Sequence, residues 1–218
     1  MADPVNERHW PSHRSGKRFD EIAAAASRVI IRDGLEATTL REISREGGFT
    51  TGVLTHYFPD KQALIAGTFA AVSREWIGYV REELHAARTG PELVAAFVAV
   101  AIPQDADSQA GWRLWAEMWT YAGRNRAFVA ELAAADELWE AEIRSMLDRL
   151  RADGLLPDAL EPAPEATVLC RLVDGIGLRA WLTGGWDEAR DVLIGHLAAL
   201  GLPAPVLAGL GRPVGTPP

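Results

Sequence analysis

The chain reads as all-α, and three features say so. Apolar residues recur at three- and four-residue intervals through every long segment, as on one face of a helix. No strand-like alternation, hairpin dipeptide or internal repeat breaks that pattern, and Gly34, Pro59, Pro91 and Pro103 stand where a periodic segment starts or stops. The expected architecture is a three-helix head over 17–64 joined by a long helix to a helical body over 65–201. A flexible arm over 1–16 and a disordered tail over 202–218 flank them.

Taken in order, 17–33 places Phe19, Ile22, Ala23, Ala26, Val29 and Ile30 on one face, and Gly34 ends that helix. Two short helices follow within 38–61. A fourth, over about 61–88, carries Leu64, Phe69, Val72, Trp76, Val80 and Leu84, which is long enough to connect head and body more stiffly than a Gly/Ser linker. Pro91 suits the first turn of a helix over 91–102, and Pro103 closes it. The polar run Gln104–Gln109 reads as a loop. Helices over 110–123 and 126–152, a loop around Pro157–Pro164, and helices over 165–184 and 187–200 complete the body.

The 218 residues, 48% apolar, can bury a core in one or two domains. Charge interrupts every aliphatic run, and the first residues lack the apolar segment of a signal peptide, so a soluble, cytoplasmic protein without a membrane partner is expected. Cys170 is the only cysteine, which excludes an internal disulfide and a cysteine-based metal cluster; no metal or cofactor is expected. Residues 1–65 hold nine Lys/Arg and nine Asp/Glu, so the whole net charge of −8 sits in the remainder. A neutral head with local basic points, His9, Arg14, Lys17, Arg18 and Lys61, can still dock on DNA, because only the field at the docking face acts across a short screening length.

The stretch 38–61 carries the chemistry. Thr39 can cap a helix, and Glu42 three residues on completes a capping box. Gly47 and Gly48 permit a sharp turn, Phe49 plugs the corner, and Thr50 caps a second helix to about Tyr57 that is anchored by Val53 and Leu54. Thr50, Thr51, Gly52, Thr55, His56 and Tyr57 are then left outside, short or hydrogen-bonding groups of the kind that reach phosphates, base edges and thymine methyls.

The string HYFPDK after TTGVLT, behind a helix ending in Gly-Gly, resembles the DNA-binding domain of the TetR family of transcriptional regulators. Gly48, Gly52, Leu54, Tyr57, Phe58 and Lys61 fall on that family's pattern. Phe49 replaces a smaller aliphatic, Gly47 stands where Ala is usual, and Thr55 where an aromatic is common. The resemblance implies a helix-turn-helix domain in which Thr39 and Lys61 meet phosphates and the helix over 50–57 enters the major groove of a palindromic operator. The body's WRLWAEMW and VDGIGLRAWLTGGW are similar, less specifically, to the C-terminal domain of regulators like the repressor of betaine synthesis.

In the body, Trp112, Trp115 and Trp119 share a helical face, and Trp139 lines the next helix with Glu142 at its edge. Such a stripe serves as core or as the wall of a cavity for an apolar or cationic effector, since indole faces attract cations. Asp174, among Cys170, Leu178 and Trp181, and Glu142 are the candidate countercharges; the alternative for Asp174 is an ordinary pair with Arg171. Val168, Leu172, Gly175, Ile176 and Arg179 form a second face of the helix over 165–184. With the helix over 187–200 it is expected to make a four-helix homodimer interface, Gly175 and Gly177 allowing close approach.

Together with these features, the resemblance implies a ligand-responsive transcriptional regulator, expected to be a dimeric repressor released by a small-molecule effector. One alternative is a DNA-binding protein whose body is purely structural. Another is an all-α enzyme, but no Ser/His/Asp arrangement, phosphate loop, HExxH or Cys/His metal spacing is present to support it.

Overall fold

A computed structural model of the chain describes residues 16–210. The leading arm before Gly16, with His9 and Arg14, and residues 211–218 lie outside the described residues. The described residues divide into two compact units that part between Val72 and Ser73, inside the long helix, where the sequence reading expects the division at 64/65.

In the first unit α1 (Lys17–Asp33), α2 (Leu40–Gly47) and α3 (Thr51–Tyr57) pack around Ile22, Ala25, Ala26, Val29, Ile43, Leu54 and Phe58. The start of α4 (Lys61–Ala86) adds Ala63 and Leu64 to the same core. Local signals set the boundaries. The Thr39 hydroxyl accepts from the Glu42 amide while the Glu42 carboxylate accepts from the Thr39 amide, the reciprocal pairing of a capping box. Gly48 ends α2 with φ 67°, a left-handed conformation that glycine adopts without steric cost.

The second unit contains the rest of α4, α5 (Gly90–Ala101), α6 (Ala106–Arg124), a 3-10 turn (Arg126–Phe128), α7 (Val129–Ala152), α8 (Pro162–Thr183), α9 (Trp186–Ala199) and one-turn α10 (Ala204–Leu207). Its core runs through Val80, Phe97, Ile102, Ile143, Leu150, Leu169, Val173 and Leu193.

Three sequence expectations are corrected here. The polar run 104–109 is helical from Ala106, because the Asp105 carboxylate accepts from the Ser108 amide at 2.8 Å and so caps α6. α8 begins at Pro162, since prolines in a first turn lack only amides that have no helical partner. Residues 202–210 are not a disordered tail: Leu202 and Val206 are buried in the core and α10 packs on α5 and α9.

Candidate DNA-binding and effector sites

The α2–α3 turn delivers the DNA-facing candidates. The Thr50 hydroxyl accepts from the Val53 amide, fixing the first turn of α3, while Leu54 and Phe58 bury its inner side. Thr51, Gly52, Thr55 and His56 are left exposed, and Val53 and Tyr57 half-buried. The Thr55 hydroxyl donates to the Gly52 carbonyl at 3.2 Å, and the His56 and Tyr57 rings meet edge to face at 5.4 Å. A Cβ built on Gly52 would meet only the Thr50 hydroxyl oxygen, at 3.8 Å. Nothing within the protein therefore requires glycine at this position, as is also the case at Gly78, Gly111, Gly175 and Gly195.

The two expected phosphate contacts both hold internal bonds. The Thr39 hydroxyl also donates to the Glu42 carboxylate at 2.9 Å, and the Lys61 ammonium donates to the Leu35 carbonyl at 3.3 Å. An ammonium has three donors, so Lys61 keeps two to offer outward.

The four expected effector-site tryptophans do not form one set. Trp115 and Trp139 each meet Trp76 of α4, a residue that spacing alone assigns only to the connecting helix, at ring distances of 5.5 and 4.9 Å, and Trp139 stacks on Phe97 at 5.9 Å. Trp112 turns instead to Trp119 and Trp186, each 6.2 Å away. No sequence signal says that α4 and α9 would present indoles to α6, because periodicity identifies a buried face but not what covers it.

Neither candidate countercharge stands unpaired for a cation. Glu142, only 7% exposed, accepts twice from Arg81 of α4, from Nη2 at 2.6 Å and from Nε at 2.8 Å. Asp174 faces Arg171 at 3.5 Å, the ordinary pairing, but Arg171 is nearer Asp136 at 3.1 Å and Glu140 at 3.0 Å. One guanidinium shared by three carboxylates leaves Asp174 poorly compensated: burial, reinforced by Asp136 and opposed by Arg171, pushes its carboxyl up to about 6. Cys170 is buried as expected, and burial raises its thiol to about 12.

On the outer face of α8, Val168 is 49% exposed, Gly175 and Arg179 are exposed, and Leu172 and Ile176 half-buried. Leu182 of α8, 67% exposed, and Val192 of α9, 43% exposed, are further apolar side chains left open to solvent. Gly177 does not belong to it. It is buried, and a Cβ there would lie 2.1 Å from the Trp112 ring, so its close approach is to α6 of the same chain.

A capped helix-turn-helix with a polar outer face, followed by an all-helical body with an aromatic interior, defines a DNA-binding regulator. Residues 22–68 match the family model for bacterial regulatory proteins of the tetR family, and 91–201 that for the C-terminal domain of BetI-type transcriptional repressors. The chain belongs to the TetR family, with a BetI-type C-terminal domain. It is 25% identical over 187 residues to the transcriptional regulator PksA of Bacillus subtilis, covering 84% of this chain and 90% of that one. It is 26% identical over 170 residues to the regulator BetI of Escherichia coli, covering 77% and 84%. A solved regulator from Saccharomonospora viridis in complex with choline shares the fold with a TM-score of 0.74 and 22% identity, over 85% of this chain and 97% of that one. Members of this family are transcriptional regulators, not enzymes; they bind DNA and small-molecule effectors and are usually dimers.

Proposed function

We propose that the protein is a homodimeric repressor that reads a palindromic operator through α3 and lets go when an organic effector binds in the body. The observation that carries the DNA reading is the two-sidedness of α3, whose Leu54, with Phe58 just beyond the helix, is buried in the core of the first unit while Thr51, Gly52, Thr55 and His56 stand outward. Gly52→Leu should melt like the wild type and lose duplex binding. A Gly52→Leu protein that binds as tightly as wild type removes α3 from the interface.

The outer face of α8 with α9, around Val168, Leu172, Gly175, Ile176 and Arg179, supports an isologous interface, since the same exposed apolar patch can meet its own copy. α4 continues unbroken through the boundary between the two units, which supports a connector that carries displacement from body to head. No helix among the described residues is long and apolar enough to cross a membrane.

For the effector, the tryptophans of α6, with Trp139 and Trp76, favour an apolar or cationic molecule. Because Glu142 and Asp174 already face arginines, a cation would be held by indole faces and not by a dedicated carboxylate. Choline, held by the regulator of Saccharomonospora viridis, is the first compound to try. The reading without a switch is favoured by one observation: Trp139 is 4% exposed and stacked on Phe97, as a core residue would be. Titrating choline and a neutral isostere against tryptophan fluorescence and operator affinity separates the two. A fluorescence change coupled to weaker operator binding supports the switch; no response from a folded, DNA-binding dimer to these compounds or to a metabolite panel supports the structural body.

A further inference from the structure

Two departures from the family pattern, Gly47 and Phe49, are one feature. The Phe49 ring lies so close over Gly47 that a Cβ there would fall 2.1 Å from the ring edge, so an alanine at 47 is incompatible with this ring position. The ring also carries the Arg18 guanidinium, whose central carbon is 4.7 Å from its centroid. The next residue, Phe19, packs on Phe58 at 5.1 Å. Consecutive residues of α1 thus hold the residues flanking α3, Phe49 two positions before Thr51 and Phe58 directly after Tyr57.

Stacking occupies the face of a guanidinium and leaves its edge N–H donors free to bond, and that edge matches the geometry of a phosphate. Glu21 accepts from the Arg18 edge at 2.9 Å, but this is an exposed pair three residues apart, which a stronger anion can displace at little cost. Elsewhere in the head Arg28 and Arg32 converge on Glu46, and Arg32 also on Asp33. Arg18 differs in being aimed by a ring that adjoins the recognition helix. We propose that Arg18 is a DNA-phosphate contact of this regulator, held in position by Phe49, for which Gly47 makes room. The proposal rests on the DNA-binding reading above and adds a residue to it.

The test is the salt dependence of binding to a duplex selected by the wild-type protein. Arg18→Ala should lower the slope of log affinity against log salt by about 0.9 for each phosphate it no longer neutralises, so by roughly two for a dimer. Arg18→Lys keeps the charge but stacks less well, and should bind a few-fold more weakly at nearly the wild-type slope. Gly47→Ala with Phe49→Leu fills the corner without a ring; in that background Arg18→Ala should cost less than it does in wild type. An Arg18→Ala slope equal to wild type overturns the proposal, as does Arg18→Lys binding as tightly as wild type; because Arg18 also covers the Phe49 ring, the salt slope and not the affinity alone is the readout for Arg18→Ala. A wild type that binds no duplex overturns the DNA-binding reading as well, which separates the two failures.

Discussion

Arg81 of α4 donates twice to one oxygen of Glu142 on α7, at 2.6 and 2.8 Å, and Glu142 is the only charged residue among the buried described ones. The same two helices are joined again where Arg149 of α7 donates to the Leu84 and Ala87 carbonyls at the end of α4, and where Trp76 meets Trp139. Within the body, α4 and α7 therefore meet through long side chains at three levels. Arg81→Ala should destabilise the protein by about 2 kcal/mol, because it leaves a buried carboxylate without its partner. Arg81→Ala with Glu142→Leu should recover much of that loss. Urea unfolding of the four proteins decides it, and a double variant no better than the single one removes the ion pair as the cause.

Asp174 makes stability depend on pH. Its carboxyl is raised from 3.8 to about 6 by burial and by Asp136, so the folded state binds the proton more tightly than the unfolded chain does. Its favourable contribution is complete below pH 3.8 and is lost as pH rises through about 6. Asp174→Asn should therefore raise the melting temperature at pH 8, by the equivalent of about 2 kcal/mol, and the gain over wild type should shrink toward pH 4. Equal melting temperatures at pH 8 would show that Arg171 compensates Asp174 fully.

Two glycines of the body should respond oppositely to alanine. At Gly177 the new Cβ meets the Trp112 ring at 2.1 Å, and overpacking of this kind costs about 1–3 kcal/mol. At Gly78, inside α4 with open space around it, alanine should stabilise by up to about 1 kcal/mol through helix propensity. Equal effects at both positions would mean that Trp112 yields easily.

The two-sidedness of α8 is legible in its sequence, but only in part. Cys170 turns inward and Val168 and Gly175 outward, as the spacing expects, but Asp174, Leu178 and Trp181 are only half-buried, and the buried face runs instead through Leu169, Val173 and Ala180. Gly177 cannot be assigned from spacing, because small residues serve close approach on either side. The head is more legible than the body for a physical reason. Caps and turns are local chemistry, so Thr39, Glu42, Gly48 and Thr50 mark boundaries by themselves. The partner of an indole is set by tertiary packing, so the Trp76–Trp139 and Trp112–Trp186 contacts leave no trace in the spacing. Asp105 is an exception on the local side: its bond to the Ser108 amide is a cap of the same kind, but the polar run around it reads equally well as a loop.

On the outer face of α8, Ile176→Glu would place a charge against its own image in an isologous interface, desolvated and without a partner. Sedimentation should find this variant monomeric with the helical content of wild type. A variant that stays fully dimeric assigns the interface to another surface.

Whether two copies read DNA through α3 is decided most directly by selecting binding sites for the wild-type protein from a random duplex pool. The expected product is an inverted repeat with half-site centres about 34–36 Å apart or a multiple of that spacing. Thr51→Ala or Thr55→Ala should change the bases preferred, while Thr39→Ala or Lys61→Ala should weaken binding to all sequences alike. Recovery of single asymmetric sites, or of the same sequence by wild type and both recognition-helix variants, would overturn the reading of DNA by paired α3 helices.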